Sequence, residues 1–252
     1  MKVIVLSSGS KGNTTYVECG QTKILIDMGN TCKYVVHKLE RFGIKAEEIQ
    51  GVLITHTHVD HVKGLKVFLK KYGTKVYFTK KMQEELEYVS NYDLLDESEI
   101  LIGDIRVQVI KTSHDVADSV GYILENDDKS IVYITDTGYI NQKYFPILSN
   151  RNVYILESNH DIEMLNHGKY SFQLRQRILG DKGHLSNYDC SRYLSNFIGD
   201  KTKYVVLAHL SEENNTRELA YDTLMERLEE SHQHVDNILI AKQDEEIEEI
   251  LI

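Results

Sequence analysis

The chain has 252 residues, with 29 Lys+Arg against 39 Asp+Glu and a formal net charge of −10. Taken as a sum, that acidity argues against a protein that coats nucleic acid or an anionic membrane, because such proteins carry net positive charge. Hydrophobic residues make up 41% and charged residues 27%, too apolar for disorder and ordinary for a globular chain.

No apolar run approaches the roughly 20 residues a membrane helix needs, so no membrane partner is expected. The opening M-K-V-I-V-L-S-S reads as a β-strand and not as a signal peptide. Cys19, Cys32 and Cys190 form no C-x-x-C and leave an odd one over. A disulfide framework is not expected, and a reducing cytoplasm is.

In chain order, short β-branched runs alternate with amphipathic stretches. Strands are predicted over 3–6, 15–18, 23–26, 51–55, 75–78, 105–112, 120–124, 130–135, 153–157, 204–208 and 237–241. Helices are predicted over 31–42, 62–71, 80–89, 142–149, a pair around 163–179, 187–197 and 216–230. No linker-like composition break interrupts this order, so one domain over 1–252 is expected. K-I-L-I-D-M-G and S-I-V-Y-I-T-D-T-G both read as strands ending in Asp-x-Gly, at Asp27 and Asp136. G-V-L-I-T-H and Y-V-V-L-A-H both read as strands ending in His, at His56 and His209. The repetition points to a duplicated β-rich unit, hence two sheets face to face with helices outside.

The most informative segment is T-H-T-H-V-D-H, from Thr55 to His61. His56, His58, Asp60 and His61 follow a strand and precede a helix. Imidazole and carboxylate suit Zn²⁺, Mn²⁺ or Fe²⁺. In an extended run alternate residues share a face, so His56 and His58 can share one ion. Asp60 and His61, as the chain turns into the helix, can reach a second. Further ligand-type residues at strand ends are His114, Asp136 and His209. His37 lies mid-helix, and His232 and His234 lie in a polar stretch, where a solvated role is expected.

H-x-H-x-D-H, then a lone His, then Asp before a small residue, then a late His, resembles the metallo-β-lactamase superfamily pattern. That resemblance implies an αββα four-layer sandwich of two mixed sheets with helices on both outer faces. It also implies two divalent ions. One takes His56, His58 and His114, the other Asp60, His61 and His209, with Asp136 and a hydroxide bridging. Asp27 orders the ligand loop. No Cys takes a ligand place, and His58 stands where the flavodiiron branch has Glu. The strings E-S-N-H-D, G-H-L-S-N and A-H-L-S-E-E-N-N, with the opening S-S-G-S-K-G-N, resemble the bacterial YycJ (WalJ) family. This implies a cytosolic nuclease using Mn²⁺ or Zn²⁺, with 5′-to-3′ exonuclease activity on double-stranded DNA.

Phosphodiester hydrolysis needs a nucleophile, charge neutralisation and a protonated leaving group. Asp60 and Asp136 would orient the nucleophile. His184 is the candidate general acid and Glu157 its partner; otherwise His184 caps the following helix and Glu157 makes a structural salt bridge. His160 either supports a ligand or contacts substrate, or is structural. The Gly/Ser-rich loop 7–13 is not a Walker A. It is either a tight turn or a phosphate cradle formed by backbone N–H groups and Lys11, with Ser8 and Asn13 beside it. Arg177, with Arg175 and Lys182, favours phosphate over the thioester of a glyoxalase II-type hydrolase. RNA processing, a small phosphodiester substrate and a non-catalytic metal-bound scaffold are the other readings.

The charge is unevenly placed. Residues 212–249, an acidic C-terminal tail segment, carry a net −10; residues 55–81 carry +6 and residues 169–192 carry +3. The acidity therefore does not exclude a nucleic-acid substrate at the catalytic edge. KM for DNA should rise as salt is added between low and physiological ionic strength. A KM that does not move with salt would count against DNA.

Overall fold

The computed structural model describes residues 1–96 and 99–252. Its elements are, in order, β1 (Lys2–Ser7), β2 (Thr14–Cys19), β3 (Thr22–Ile26), α1 (Cys32–Arg41), β4 (Gly51–Leu53), α2 (Val59–Val62), α3 (Leu65–Tyr72), β5 (Lys75–Thr79), β6 (Tyr92–Leu95), β7 (Glu99–Ile102) and β8 (Ile105–Lys111). There follow β9 (Val120–Asn126), β10 (Lys129–Ile134), α4 (Phe145–Leu148), β11 (Val153–Glu157), α5 (Ile162–His167), α6 (Phe172–Leu179), α7 (Asn187–Phe197), β12 (Tyr204–Ala208), α8 (Arg217–Glu230), β13 (Asn237–Ile240) and β14 (Ile250–Leu251).

Among the described residues the strands form two mixed sheets of seven, β14-β1-β2-β3-β4-β5-β6 and β13-β12-β11-β10-β9-β8-β7. Central strands carry apolar residues on both faces along most of their length because both faces are covered. In β10, Ile131 and Tyr133 join the core between the sheets, while Val132 and Ile134 join a second core under the helices. β11 does the same, with Val153 and Ile155 inward and Tyr154 and Leu156 outward. That second core is closed by Leu194 and Phe197 of α7 and Leu224 and Leu228 of α8. On the far side, Val35 and Leu39 of α1 and Phe68 of α3 cover the first sheet. The order of layers is helix, sheet, sheet, helix, as the resemblance implied.

Helix starts are set locally. Thr31, Asp161, Ser171, Ser186 and Thr216 each accept the N–H three residues on, the N-cap bond that satisfies an orphan donor.

The expected duplication is present, with one correction. β1 to β6 pair antiparallel, antiparallel, then parallel three times, and β8 to β13 repeat that pattern. Asp27 after β3 and Asp136 after β10 are true counterparts, and both have positive φ, 60° and 54°. His56 and His209 are not counterparts. β4 is the fourth strand of its set and matches β11; β12 is the fifth.

Other differences have physical causes. The helix expected over 62–71 begins only at Leu65, as α3, and the short α2 precedes it as a separate helix. Gly64 N–H donates to the Met28 carbonyl, and the Asp60 carbonyl, its would-be helical partner, accepts from Asn13 N–H. Tertiary bonds thus replace the i to i−4 ladder. The helix expected over 80–89 is a single 3₁₀ turn, Lys80–Met82, followed by turns. β6, β7 and β14 were not anticipated. The acidic segment 212–249 is no loose tail. It contains α8 and β13, returns through Glu246, buried against Lys38 and Arg41, and leads into β14 on β1.

Gly29 sits where the loop after β3 meets the metal-motif loop. A Cβ there would lie 1.7 Å from the Asp60 carbonyl oxygen and 2.4 Å from Asn13 N, both backbone atoms. Gly29→Ala should therefore destabilise the fold by about 1–3 kcal/mol, the usual cost of overpacking, read as a lowered midpoint in denaturant. An unchanged midpoint would show that the two loops part without cost.

Candidate active site

The loops that carry the expected site residues leave the C-terminal ends of β1, β3, β4, β8, β10, β11 and β12, so they converge on one edge of the sandwich. There the ligand atoms of His56, His58 and His114 lie within 4.8 Å of one another, and so do those of Asp60, His61, Asp136 and His209. His56 Nε2 and His114 Nε2 are each 3.2 Å from His58 Nδ1. Nitrogens about 2.0–2.1 Å from a tetrahedral ion stand roughly 3.3 Å apart, so the first group has metal-ligand spacing. In the second, His61 Nε2 is 3.5 Å from Asp60 Oδ2 and 3.3 Å from Asp136 Oδ2. His209 Nε2 is 3.4 Å from Asp136 Oδ1 and 3.7 Å from Asp60 Oδ2. Both Asp136 oxygens thus face the second group.

The residues fit a divalent cation. Asp136 Oδ2 and His209 Nε2 are buried yet have no hydrogen-bond partner, and a buried polar atom is costly unless something satisfies it. The outward ring nitrogens of three of these histidines are held. His61 Nδ1 is 2.8 Å from Asp27 Oδ2, His114 Nδ1 is 3.2 Å from the Gly183 carbonyl, and His209 Nδ1 is 3.0 Å from Glu157 Oε1. Each bond leaves Nε2 aimed at the ligand cluster, the usual way a protein orients a ligating imidazole. Asp27 also accepts from the Thr55 N–H and hydroxyl at 2.8 Å each, so it braces the ligand loop.

The electrostatics point the same way. Burial disfavours charge on every group here; it prevails at Asp27, whose pKa is raised, and at His56 and His114, whose pKa values are lowered, while in the second group opposite charges outweigh it. Asp136 is held well below the usual carboxylate range by His209 and His61. Burial opposes the His209 cation, yet Asp136, Asp60 and Glu157 push its pKa up to about 10. Asp27 and Asp136 likewise hold His61 well above the ordinary imidazole value against its burial. The site is built to hold positive charge, and metal binding would displace those protons.

His184 lies beside this cluster. Its Nδ1 is 2.6 Å from Glu157 Oε1, a hydrogen bond rather than ligand spacing. Glu157 is wholly buried and accepts four donors: His184 and His209 on Oε1, and the N–H groups of Thr137 (2.9 Å) and Leu185 (3.2 Å) on Oε2. Burial would raise its pKa, but His184 and the other donors bring it down to about 2. Burial likewise opposes charge on His184, and Glu157 and Asp136 raise its pKa nonetheless. The helix α7 is capped by Ser186, so His184 is not the cap.

Residues expected to meet substrate fare less uniformly. Asn13 is fully buried, and its Nδ2 lies 3.0 Å from the Gly9 carbonyl, 3.0 Å from His61 Nε2 and 3.3 Å from Asp60 Oδ2. Ser8 is buried too and accepts the His209 N–H at 2.8 Å. Both support ligands instead of facing a phosphate. Lys11 ion-pairs with Glu212 at 2.9 Å, within the acidic segment. His160 is buried, neither ring nitrogen has a partner, and burial lowers its pKa to about 4; it does not line the cleft. Arg177 does line the cleft, tied to Asp115.

The cleft over the ligands holds about 260 Å³. Besides His58, His114, Asp136, His184 and His209 it is lined by Tyr170, Leu174, Ile178 and Lys182. Sequence reasoning passed over those apolar residues and Asp115. Asp115 had a signal in T-S-H-D; Leu174 and Ile178 read as an ordinary helix stripe.

A family match to the Beta-lactamase superfamily domain covers residues 22–209. The exodeoxyribonuclease WalJ of Streptococcus pneumoniae is 38% identical over 236 residues, covering 90% of this chain and 88% of that protein. The exodeoxyribonuclease YycJ of Bacillus anthracis is 36% identical over 233 residues, with 90% and 88% covered. The metallo-β-lactamase fold protein YhfI of Bacillus subtilis superposes with a TM-score of 0.73 at 18% identity, covering 98% of each chain.

Replacing Asp27 by Asn should weaken metal binding by about 10–100-fold, the usual cost of losing such a partner. Competition with a chelator measures it. Unaltered affinity would show that the Asp27 to His61 contact does not orient the ligand.

Proposed function

Since the chain belongs to the β-lactamase superfamily and, within it, to the family of WalJ and YycJ, we propose that it is a metal-dependent exodeoxyribonuclease. It acts on double-stranded DNA from the 5′ end, as a single cytoplasmic domain. Two divalent ions, Zn²⁺ or Mn²⁺ with Fe²⁺ chemically allowed, are held by His56, His58 and His114, and by Asp60, His61, Asp136 and His209. The observation that carries this reading is the gathering of seven ligand-type residues into two groups, five of which (His58, Asp60, His114, Asp136 and His209) line a cleft that Arg177 and Lys182 also line. Those cations suit a phosphodiester better than a thioester. Free, buried Cys19, Cys32 and Cys190 accord with a reducing compartment.

When bound, the metal ions supply charge neutralisation of the phosphate and activation of water. The chain supplies the rest. Asp60, half-buried at the cleft, accepts a hydrogen bond from the attacking water and sets its line of approach. Glu157 fixes His184 with Nδ1 as donor, which leaves Nε2 free toward the cleft. Glu157 and Asp136 raise the pKa of His184 against its burial, which favours a proton on the ring. That proton passes to the leaving oxygen as the P–O bond breaks. Arg177 and Lys182 draw the phosphate in and hold it.

End-labelled duplex DNA, single-stranded DNA and RNA, incubated with metal-reconstituted protein, test the substrate; the duplex should be shortened progressively from its 5′ end. His184→Ala should keep its full metal content by ICP-MS and lose about 10²–10⁴ in kcat, the span of general acid catalysis. Full metal with undiminished kcat would sink the acid assignment.

A further inference from the structure

Beside the metal ligands the cleft has a wall of another character. Leu174 and Ile178 stand four residues apart on α6, hence on one face of that helix, and Tyr170 stands just before its Ser171 cap. All three are half-buried and line the same cleft as His184, Asp136 and His209. No residue of α6 is fully buried, so this face does not serve the core. Arg177 and Lys182 stand at the same wall. An apolar wall beside a phosphate-binding site fits a ligand with an organic plane one bond system away from its phosphate. At about 260 Å³ the cleft falls just below the roughly 300–1,000 Å³ of small-molecule pockets, the scale of one small ligand.

Resting on the nuclease reading, we propose that Tyr170, Leu174 and Ile178 form the seat for the base of the terminal nucleotide. They act as specificity-determining residues. The phosphate goes to the metal ligands with Arg177 and Lys182, and the base lies against the α6 face, with Tyr170 as its stacking partner. An occupant confined to one nucleotide also accounts for attack at a chain end, because an internal base of an intact duplex stays stacked and cannot enter.

Isothermal titration of Mn²⁺-loaded protein with dAMP and with 2-deoxyribose 5-phosphate tests the seat. The two share sugar and phosphate and differ in the base. The wild type should bind dAMP about tenfold more tightly, in keeping with base stacking. In Tyr170→Ala, and in the double variant L174S/I178S, that preference should fall to near unity. Equal affinities in the wild type, or a preference that survives both variants, would overturn the proposal. Duplex carrying an intact or an abasic 5′ end is cleaved in parallel, with the intact end preferred in the wild type alone. Failure to cleave either duplex would strike the nuclease reading, while the titration still decides the seat.

Discussion

Three carboxylates, those of Asp27, Asp136 and Glu157, are withdrawn from water at one edge of the sandwich. An uncompensated buried carboxylate is prohibitively costly, so each must be surrounded by donors or cations. Asp27 takes Thr55 twice and His61; Glu157 takes two histidines and two backbone N–H groups; Asp136 faces His61 and His209. Asp136 is the one left with an unpartnered oxygen. The charge balance around it is what makes the edge a cation site.

Glu157 links two jobs that are otherwise separate. Its Oε1 receives a ligand histidine, His209, and a histidine outside the ligand set, His184. On the mechanism proposed above, metal geometry and proton delivery would be coupled through this one oxygen. Gly183 adds a second link, since its carbonyl holds His114 while the next residue is His184. The segment between α6 and α7 cannot shift without disturbing both.

The duplicated strand order explains why so many functional residues share one edge. In each set the strand ends with parallel neighbours point the same way, and the two sets face each other. Strain gathers there: Asp27, Asp136 and His209 all have positive φ, a cost usually tolerated only where surrounding structure demands the conformation. The acidic segment that follows His209 closes one end of this edge and takes up Lys11 through Glu212.

Much was legible in the sequence. Runs such as V-Y-I-L in β11 declare buried strands because strands covered on both faces are apolar at successive positions. T-H-T-H-V-D-H declares a metal site because four ligand types rarely crowd one strand end by accident. What the sequence could not decide was set by contacts between distant residues. The break between α2 and α3 depends on Met28 and Asn13 capturing helical hydrogen-bond partners. The burial of Ser8, Asn13 and His160, the pairing of β4 with β11 instead of β12 as repeats, and the facing of Leu174 and Ile178 into the cleft are of the same kind. Local pattern determines which residues carry the chemistry and which elements bear them. Which nitrogen faces the ligand cluster, and which cation is already spent on a neighbour, is decided only when separate strand ends are brought together.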